Sequence, residues 1–280
     1  MNIPGRSFCA LLAATVLAIA LAACKGPQQE SAPTPTGETP SAASTADRGA
    51  IEAALSKPDR FAGDIDEDTW RKAGEVLALL DVKPGTTVLD YFSAAGYYTE
   101  LLAHLVGPQG QVIAYNNASY LSYAGKRPQE RYAGNRLPNV AQLTTPPEQI
   151  PVEPASVDAI LFVNAYHDLY WRPQDAAMWP PVDPKAALAK LLPALKPGGA
   201  VVVVDHIANA GGDTAKIVDT LHRIDPDVVK RDFTAAGLTF EAESAALRNP
   251  QDDHTKAVTD PVVRHKTDQL IYRFRKPADE

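Results

Sequence analysis

The sequence predicts a doubly wound α/β sheet, and three observations support that expectation. Short apolar runs bounded by turn residues, such as Val157–Val163, alternate along the chain with stretches of helical spacing. The run Ala200–Asp205 holds four consecutive valines, a composition suited to a strand covered on both faces. Val88-Leu89 reads as the end of a buried strand, followed by Asp90, a tight turn of small residues from Ser93 to Gly96, and a helical stripe of Leu101, Leu102 and Leu105. A strand that turns sharply into a helix places free backbone N–H groups beside a crevice. In an open parallel sheet, that crevice is where ligands bind.

The chain begins with an address. Arg6 supplies a positive flank, and Phe8 to Ala20 is an uncharged apolar run too short to span a bilayer comfortably. It ends in Leu21-Ala22-Ala23-Cys24, which resembles the bacterial lipoprotein signal. The resemblance implies that residues 1–23 are a signal peptide and that Cys24 becomes the lipid-bearing N-terminus. Lys25 behind it points to the outer membrane, which makes this a periplasm-facing, lipid-anchored envelope protein. A plain secretory signal or an uncleaved anchor are the simpler alternatives. Cys9 would leave with the signal, so no internal disulfide is expected.

Residues 24–49 are rich in Pro, Ser, Thr, Ala and Gln and cannot bury enough surface to offset their ordering entropy, so they read as a disordered tether. Residues 50–280 form the folded domain, with a short helix expected between Ile51 and Phe61. Asp66 or Asp68 would cap a helix running to Leu80. Thr86–Asp90 is the first strand and Tyr97–Val106 the helix behind it, stopped by Gly107-Pro108. Gln111–Tyr115 and Val140–Leu143 are further strands, separated by a partly helical stretch from Ala118 to about Gly134 that Pro128 would interrupt. Pro184–Leu195 is a helix, which Lys196-Pro197-Gly198-Gly199 turns into the valine strand. Asp225–Ala236 is a helix, and Leu238–Ser244 and Asp268–Arg275 close the sheet.

The formal charge is −7, and it becomes −8 if the signal leaves, because Arg6 is the only charged residue before Cys24. An acidic chain without a Lys/Arg-rich run is poorly suited to gripping phosphodiester backbones, so nucleic acid is not an expected partner.

Leu79-Leu80-Asp81-Val82-Lys83-Pro84-Gly85-Thr86-Thr87-Val88-Leu89-Asp90, followed by Leu195-Lys196-Pro197-Gly198-Gly199 and the valine strand, resembles the class I S-adenosylmethionine-dependent methyltransferases. The stretches around His222-Arg223-Ile224-Asp225, Asp252-Asp253-His254 and Arg264-His265-Lys266 are similar to a bacterial branch known as predicted methyltransferases. The resemblance implies a Rossmann-like, seven-stranded sheet with an antiparallel last strand, S-adenosylmethionine as cofactor, and methyl transfer to a small-molecule acceptor. The family's Asp-x-Gly-x-Gly-x-Gly loop falls on Asp90, Phe92, Ala94 and Gly96, with Ser93 and Ala95 between them. Phe92 and Ala94 depart from that pattern. The family's ribose-binding acid falls on Asn116, and the residue reading adenine on Thr144-Thr145.

The fourth strand ends in Asn164-Ala165-Tyr166-His167-Asp168, where the family keeps groups that face the acceptor. His167 would be the base, Asp168 would orient it, and Asn164 or Tyr166 would position the acceptor. The sets Asp205-His206 and Asp252-Asp253-His254 invite a metal reading, but their spacing matches no tight ligand motif, so no metal is expected. His222-Arg223 and Arg264-His265-Lys266 could form a cationic rim that draws an anionic substrate. The rival expectation keeps the scaffold without methylation: a small-molecule-binding lipoprotein that has re-used the crevice.

Overall fold

The structure, a computed structural model, describes residues 45–278. The expected signal peptide, Cys24 and residues 24–44 of the expected tether lie outside the described residues. The described chain opens with helix α1 (Thr45–Leu55), so the last part of the expected tether is helical. Composition concealed this because the helix depends on tertiary contacts, with Ile51 and Ala54 buried in the core.

The single helix expected from Asp66 or Asp68 is instead two, α2 (Asp64–Arg71) and α3 (Ala73–Leu80), broken at Lys72 with φ +48°. Asp68 is drawn away from capping by other partners. Its carboxylate takes a bidentate pair from Arg60 at 2.6 and 2.8 Å and accepts the Tyr97 hydroxyl at 2.6 Å. Thereafter come β1 (Thr87–Tyr91), α4 (Tyr97–Val106), β2 (Gln111–Asn116), α5 (Ala118–Ala124), α6 (Arg127–Tyr132), β3 (Val140–Thr144), β4 (Val157–Val163) and α7 (Pro184–Leu191). They are followed by β5 (Leu195–His206), α8 (Thr214–Leu221), α9 (Pro226–Ala235), β6 (Thr239–Glu243) and β7 (Gln269–Arg275).

The seven strands form one sheet in the order β3-β2-β1-β4-β5-β7-β6, with the first five parallel and β7 antiparallel to both its neighbours. The order reverses between β1 and β4, so the crevice at the carboxyl ends of these strands is the topological switch point. The valine run explains itself in this setting. Val201 and Val203 face one core with Phe162, Leu188 and Phe233, whereas Val202 and Val204 face another with Leu161, Leu77 and Leu101. Both faces are therefore dry, as a central strand requires.

Several boundaries differ from the sequence reading for identifiable reasons. The break between α5 and α6 falls at Gly125, φ +63°, and Pro128 sits harmlessly in the first turn of α6. Lys196 to Gly199 is a bulge inside β5, since Val157 pairs with Leu195 but Ala159 already pairs with Ala200. The α7 helix ends at Leu191 and tightens through Leu192–Ala194, where Pro193 cannot donate to it. The unexpected α8 is capped by Asp213, whose side chain accepts from Lys216 N at 3.1 Å. No helix among the described residues is long and apolar enough to cross a membrane.

Candidate functional site

The turn after β1 keeps the backbone of a glycine-rich loop without its glycines. Phe92, Ala94 and Gly96 have φ of +54°, +49° and +85°. An L-residue in that region costs roughly 1–2 kcal/mol, so two of the three positions are strained. The neighbours of the loop supply the compensation. Ser93 N donates to Tyr115 O at 2.9 Å, Ala94 N to Asn116 Oδ1 at 2.8 Å, and Gly96 N to Ser93 O at 2.8 Å. Asn116 Nδ2 in turn donates to Ser93 Oγ at 2.9 Å. Asp90 is buried beneath and accepts the Thr99 hydroxyl at 2.6 Å, and burial pushes its carboxyl up to about 6.

Side chains close over both flanks of this turn. The Phe92 ring is only 3% exposed; it stacks on Tyr120 at 4.3 Å and Tyr115 at 5.4 Å and meets the edge of Trp179 at 5.7 Å. On the other flank, Arg131 Nε donates to Ala95 O at 2.5 Å while its guanidinium grips Asp64 at 2.8 and 2.9 Å and pairs with Glu100. A β-carbon on Gly96 would strike the Tyr132 hydroxyl and lie 2.9 Å from Arg131 Cδ.

The ends of β4 and β5 are organised differently. His167 is buried, with Nδ1 2.6 Å from Asp205 Oδ1 and its backbone N donating to Asp205 Oδ2 at 2.9 Å. Its Nε2 lies 3.3 Å from Asp168 Oδ1. Asp168 also accepts the Tyr120 hydroxyl at 2.5 Å, and His222 Nδ1 is 3.5 Å from its Oδ1. Burial opposes a charge on His167, but the Asp168 and Asp205 carboxylates outweigh it and raise the imidazole well above its usual range. Burial likewise opposes the Asp168 charge, and His167, His222 and Tyr120 together hold this carboxyl well below the usual range. His206, bonded to Thr267 Oγ1 at 2.8 Å, is instead pushed down to about 3 by burial and is neutral.

This geometry redistributes the expected roles. The closer orienting carboxylate for His167 is Asp205, with Asp168 on the other ring nitrogen, and an imidazole already charged at neutral pH is a weak proton acceptor. Tyr166 is fully buried and donates to Asp232 Oδ2 at 2.8 Å, so it belongs to the core rather than to a crevice. Asn164, φ +51°, does reach this end and leaves its Oδ1 buried without a partner. Arg223 is buried against Asp252 at 2.8 and 3.1 Å and takes no part in the expected cationic rim, whereas Arg264, His265 and Lys266 are exposed, with His265 packed on Trp70 at 4.2 Å. His254 is tied to Asp268 and Asn209, each at 3.1 Å, in a loop-fastening role. Tyr120 and the meeting of His222 with His167 escaped the sequence reading. Beyond His167 and Asp168 themselves, the Asp205-His206 pair on β5 was the sequence signal for this cluster.

No family model and no curated protein sequence matches the chain. Solved structures do. A SAM-dependent methyltransferase from Aquifex aeolicus superposes with a TM-score of 0.50 at 18% identity, over 82% of this chain and 98% of that one. The complex between the Haloferax volcanii Trm112 methyltransferase activator and a candidate methyltransferase gives 0.54 at 18%, over 84% and 99%. The YcgJ protein of Bacillus subtilis gives 0.51 at 13%, over 75% and 99%. The fold is that of the class I methyltransferases.

Within this methyltransferase fold, the residues at the β1 turn do not fit S-adenosylmethionine as they are arranged. The loop N–H groups at Ser93, Ala94 and Gly96 bond to the chain itself, Asn116 faces the loop, and the Phe92 ring fills the space along the turn. A cleft of about 220 Å³ exists at the opposite end of the sheet, lined by Leu80, Asp158, Lys196 and Gly198. It lies by the amino-terminal ends of the strands and contains none of the clustered imidazoles. The imidazole–carboxylate cluster is therefore the stronger candidate for chemistry.

Proposed function

We propose that this chain is a small-molecule-handling protein that has kept the methyltransferase scaffold and works at the carboxyl ends of β4 and β5. The observation that carries this reading is the contrast at His167. Its ring, two carboxylates and His222 gather where solvent reaches, with the Asp168 and His222 side chains 14% and 30% exposed, while at the β1 turn the Phe92 ring is buried and Asn116 is spent on the loop itself. The signal-like N-terminus supports export and lipid attachment at Cys24. That would place the domain on the periplasmic side of the envelope, away from the cytoplasm where S-adenosylmethionine is made. Isothermal titration of the purified protein with S-adenosylmethionine tests the reading. No heat of binding up to millimolar cofactor is the expected result, and micromolar binding would overturn it.

Methyl transfer is the second reading, favoured by the left-handed backbone at Phe92, Ala94 and Gly96. Strain held at a turn is a feature of ligand-binding loops, so the shape of the loop supports a cofactor role even though the ring and Asn116 oppose it. In this reading Asp90, Phe92, Ser93, Ala94, Ala95, Gly96 and Asn116 would have to open around S-adenosylmethionine. His167, Asp168 and Asn164 would then face an acceptor. Titration of Phe92→Gly discriminates, because only a latent cofactor site would gain affinity when the ring is removed.

A further inference from the structure

We infer that His167, Asp168 and His222 form a binding site for one divalent first-row transition metal, with Asp205 as the carboxylate that holds His167 in its ligating tautomer. The assignment rests on the reading of the β4–β5 end as the working site and gives that site a cofactor. The ligand atoms of the three residues all lie within 4.8 Å of one another. Asp168 Oδ1 is 3.3 Å from His167 Nε2 and 3.5 Å from His222 Nδ1. Bonds of roughly 2.0–2.1 Å to a tetrahedral ion place neighbouring ligand atoms about 3.3 Å apart, so these pairs need little movement to close on a metal.

The surroundings fit the same assignment. Asp205 takes up His167 Nδ1 at 2.6 Å, which leaves Nε2 as the atom that faces Asp168 and His222; a divalent ion binds there by displacing the Nε2 proton to solvent, which turns the charged ring of the metal-free chain into a neutral ligand. A carboxylate behind a ligating imidazole is the usual way such a ring is fixed and made more basic. The second oxygen of Asp168 is held by the Tyr120 hydroxyl at 2.5 Å, so the carboxylate cannot swing away. Two imidazoles with one carboxylate suit zinc or iron(II) rather than magnesium or calcium, which prefer oxygen alone. Three protein ligands leave a fourth position free, and the partly exposed Asp168 and His222 side chains leave a route to it.

The test uses the full mature chain, stripped with a chelator and titrated with zinc(II), and separately with cobalt(II) to read ligand-field bands in the visible. Binding of about one equivalent is expected, with cobalt bands of tetrahedral intensity. His222→Asn, which keeps a residue tolerant of the φ of +50° there, should abolish the bands. Asp205→Asn should weaken binding by about 10- to 100-fold, and His254→Asn should leave it unchanged. Less than a tenth of an equivalent bound, or His222→Asn binding like the parent chain, would overturn the assignment. Circular dichroism of each variant separates ligand loss from misfolding; should Asp205→Asn not fold, the His222→Asn result decides. A chain that binds neither zinc nor S-adenosylmethionine loses the metal and keeps the reading on which it rests.

Discussion

The turn after β1 and the joint end of β4 and β5 occupy equivalent places on the sheet, both at carboxyl ends beside the switch point. They differ in where their polar groups are directed. At the turn, the amides of Ser93, Ala94 and Gly96, the Asn116 side chain and Asp90 find partners within the chain, and a buried aromatic ring packs beside them. At the other end, charge accumulates around His167 and part of it faces solvent. Topology thus locates a region able to bind ligands. Which strand end is open to one depends on side chains that topology does not fix.

The largest test of this contrast is Arg131→Ala. It leaves Asp64 buried without its two-bond partner, while Glu100 keeps Arg136 at 2.6 and 2.7 Å, and urea unfolding should show a loss of about 3 kcal/mol. A loss below 1 kcal/mol would mean that the Arg131 clamp does not hold the turn in place. Phe92→Gly comes next. Truncating a buried Phe typically costs about 3–5 kcal/mol, but relief of the left-handed strain returns roughly 1–2, so a net loss near 2 kcal/mol is expected.

Asp90 supplies a pH test with a definite sign. Its folded carboxyl titrates near 6, above the ordinary value of 3.8, because burial disfavours the charge. The native state therefore holds its proton more tightly than the unfolded chain, and stability from this group is full below pH 4 and lost as pH rises through 6. Asp90→Asn, which keeps the Thr99 bond, should gain about 3 kcal/mol over the parent at pH 8, with the difference vanishing below pH 4. Equal stabilities at pH 8 would show that water reaches the Asp90 carboxyl beneath the turn. The smallest effect should be that of His222→Asn. Its half-exposed position predicts a change within about 0.5 kcal/mol in the absence of metal, measured by the same unfolding curves.

Much of the fold was legible because periodicity is local. The bounds of β4 follow from its apolar run and those of α4 from its leucine stripe and the Gly107-Pro108 stop, and the valines of β5 announce a strand dry on both sides. The site was legible only in part. His167 and Asp168 stand out at a strand end, but their partners arrive from distant segments: Asp205 from β5, Tyr120 from α5, His222 from the end of α8. No spacing rule encodes such encounters. The same holds for Phe92, whose character as a departure from glycine is visible in sequence while its stacking on Tyr115, Tyr120 and Trp179 is not. Asp68 shows the reverse error, since a good capping residue was claimed by Arg60 and Tyr97 instead.

A single parallel bridge joins Ile207 to Ile224, with Ile224 N donating to His206 O at 2.8 Å and Ala208 N to Ile224 O at 2.9 Å. Through it the segment that bears His222 is stitched by its main chain to the tip of the central strand. Relative placement of the imidazoles is thus inherited from the framework itself, so that incoming solute meets a seat already set, and deuterium should enter the amides of 208 and 224 as slowly as those of β5.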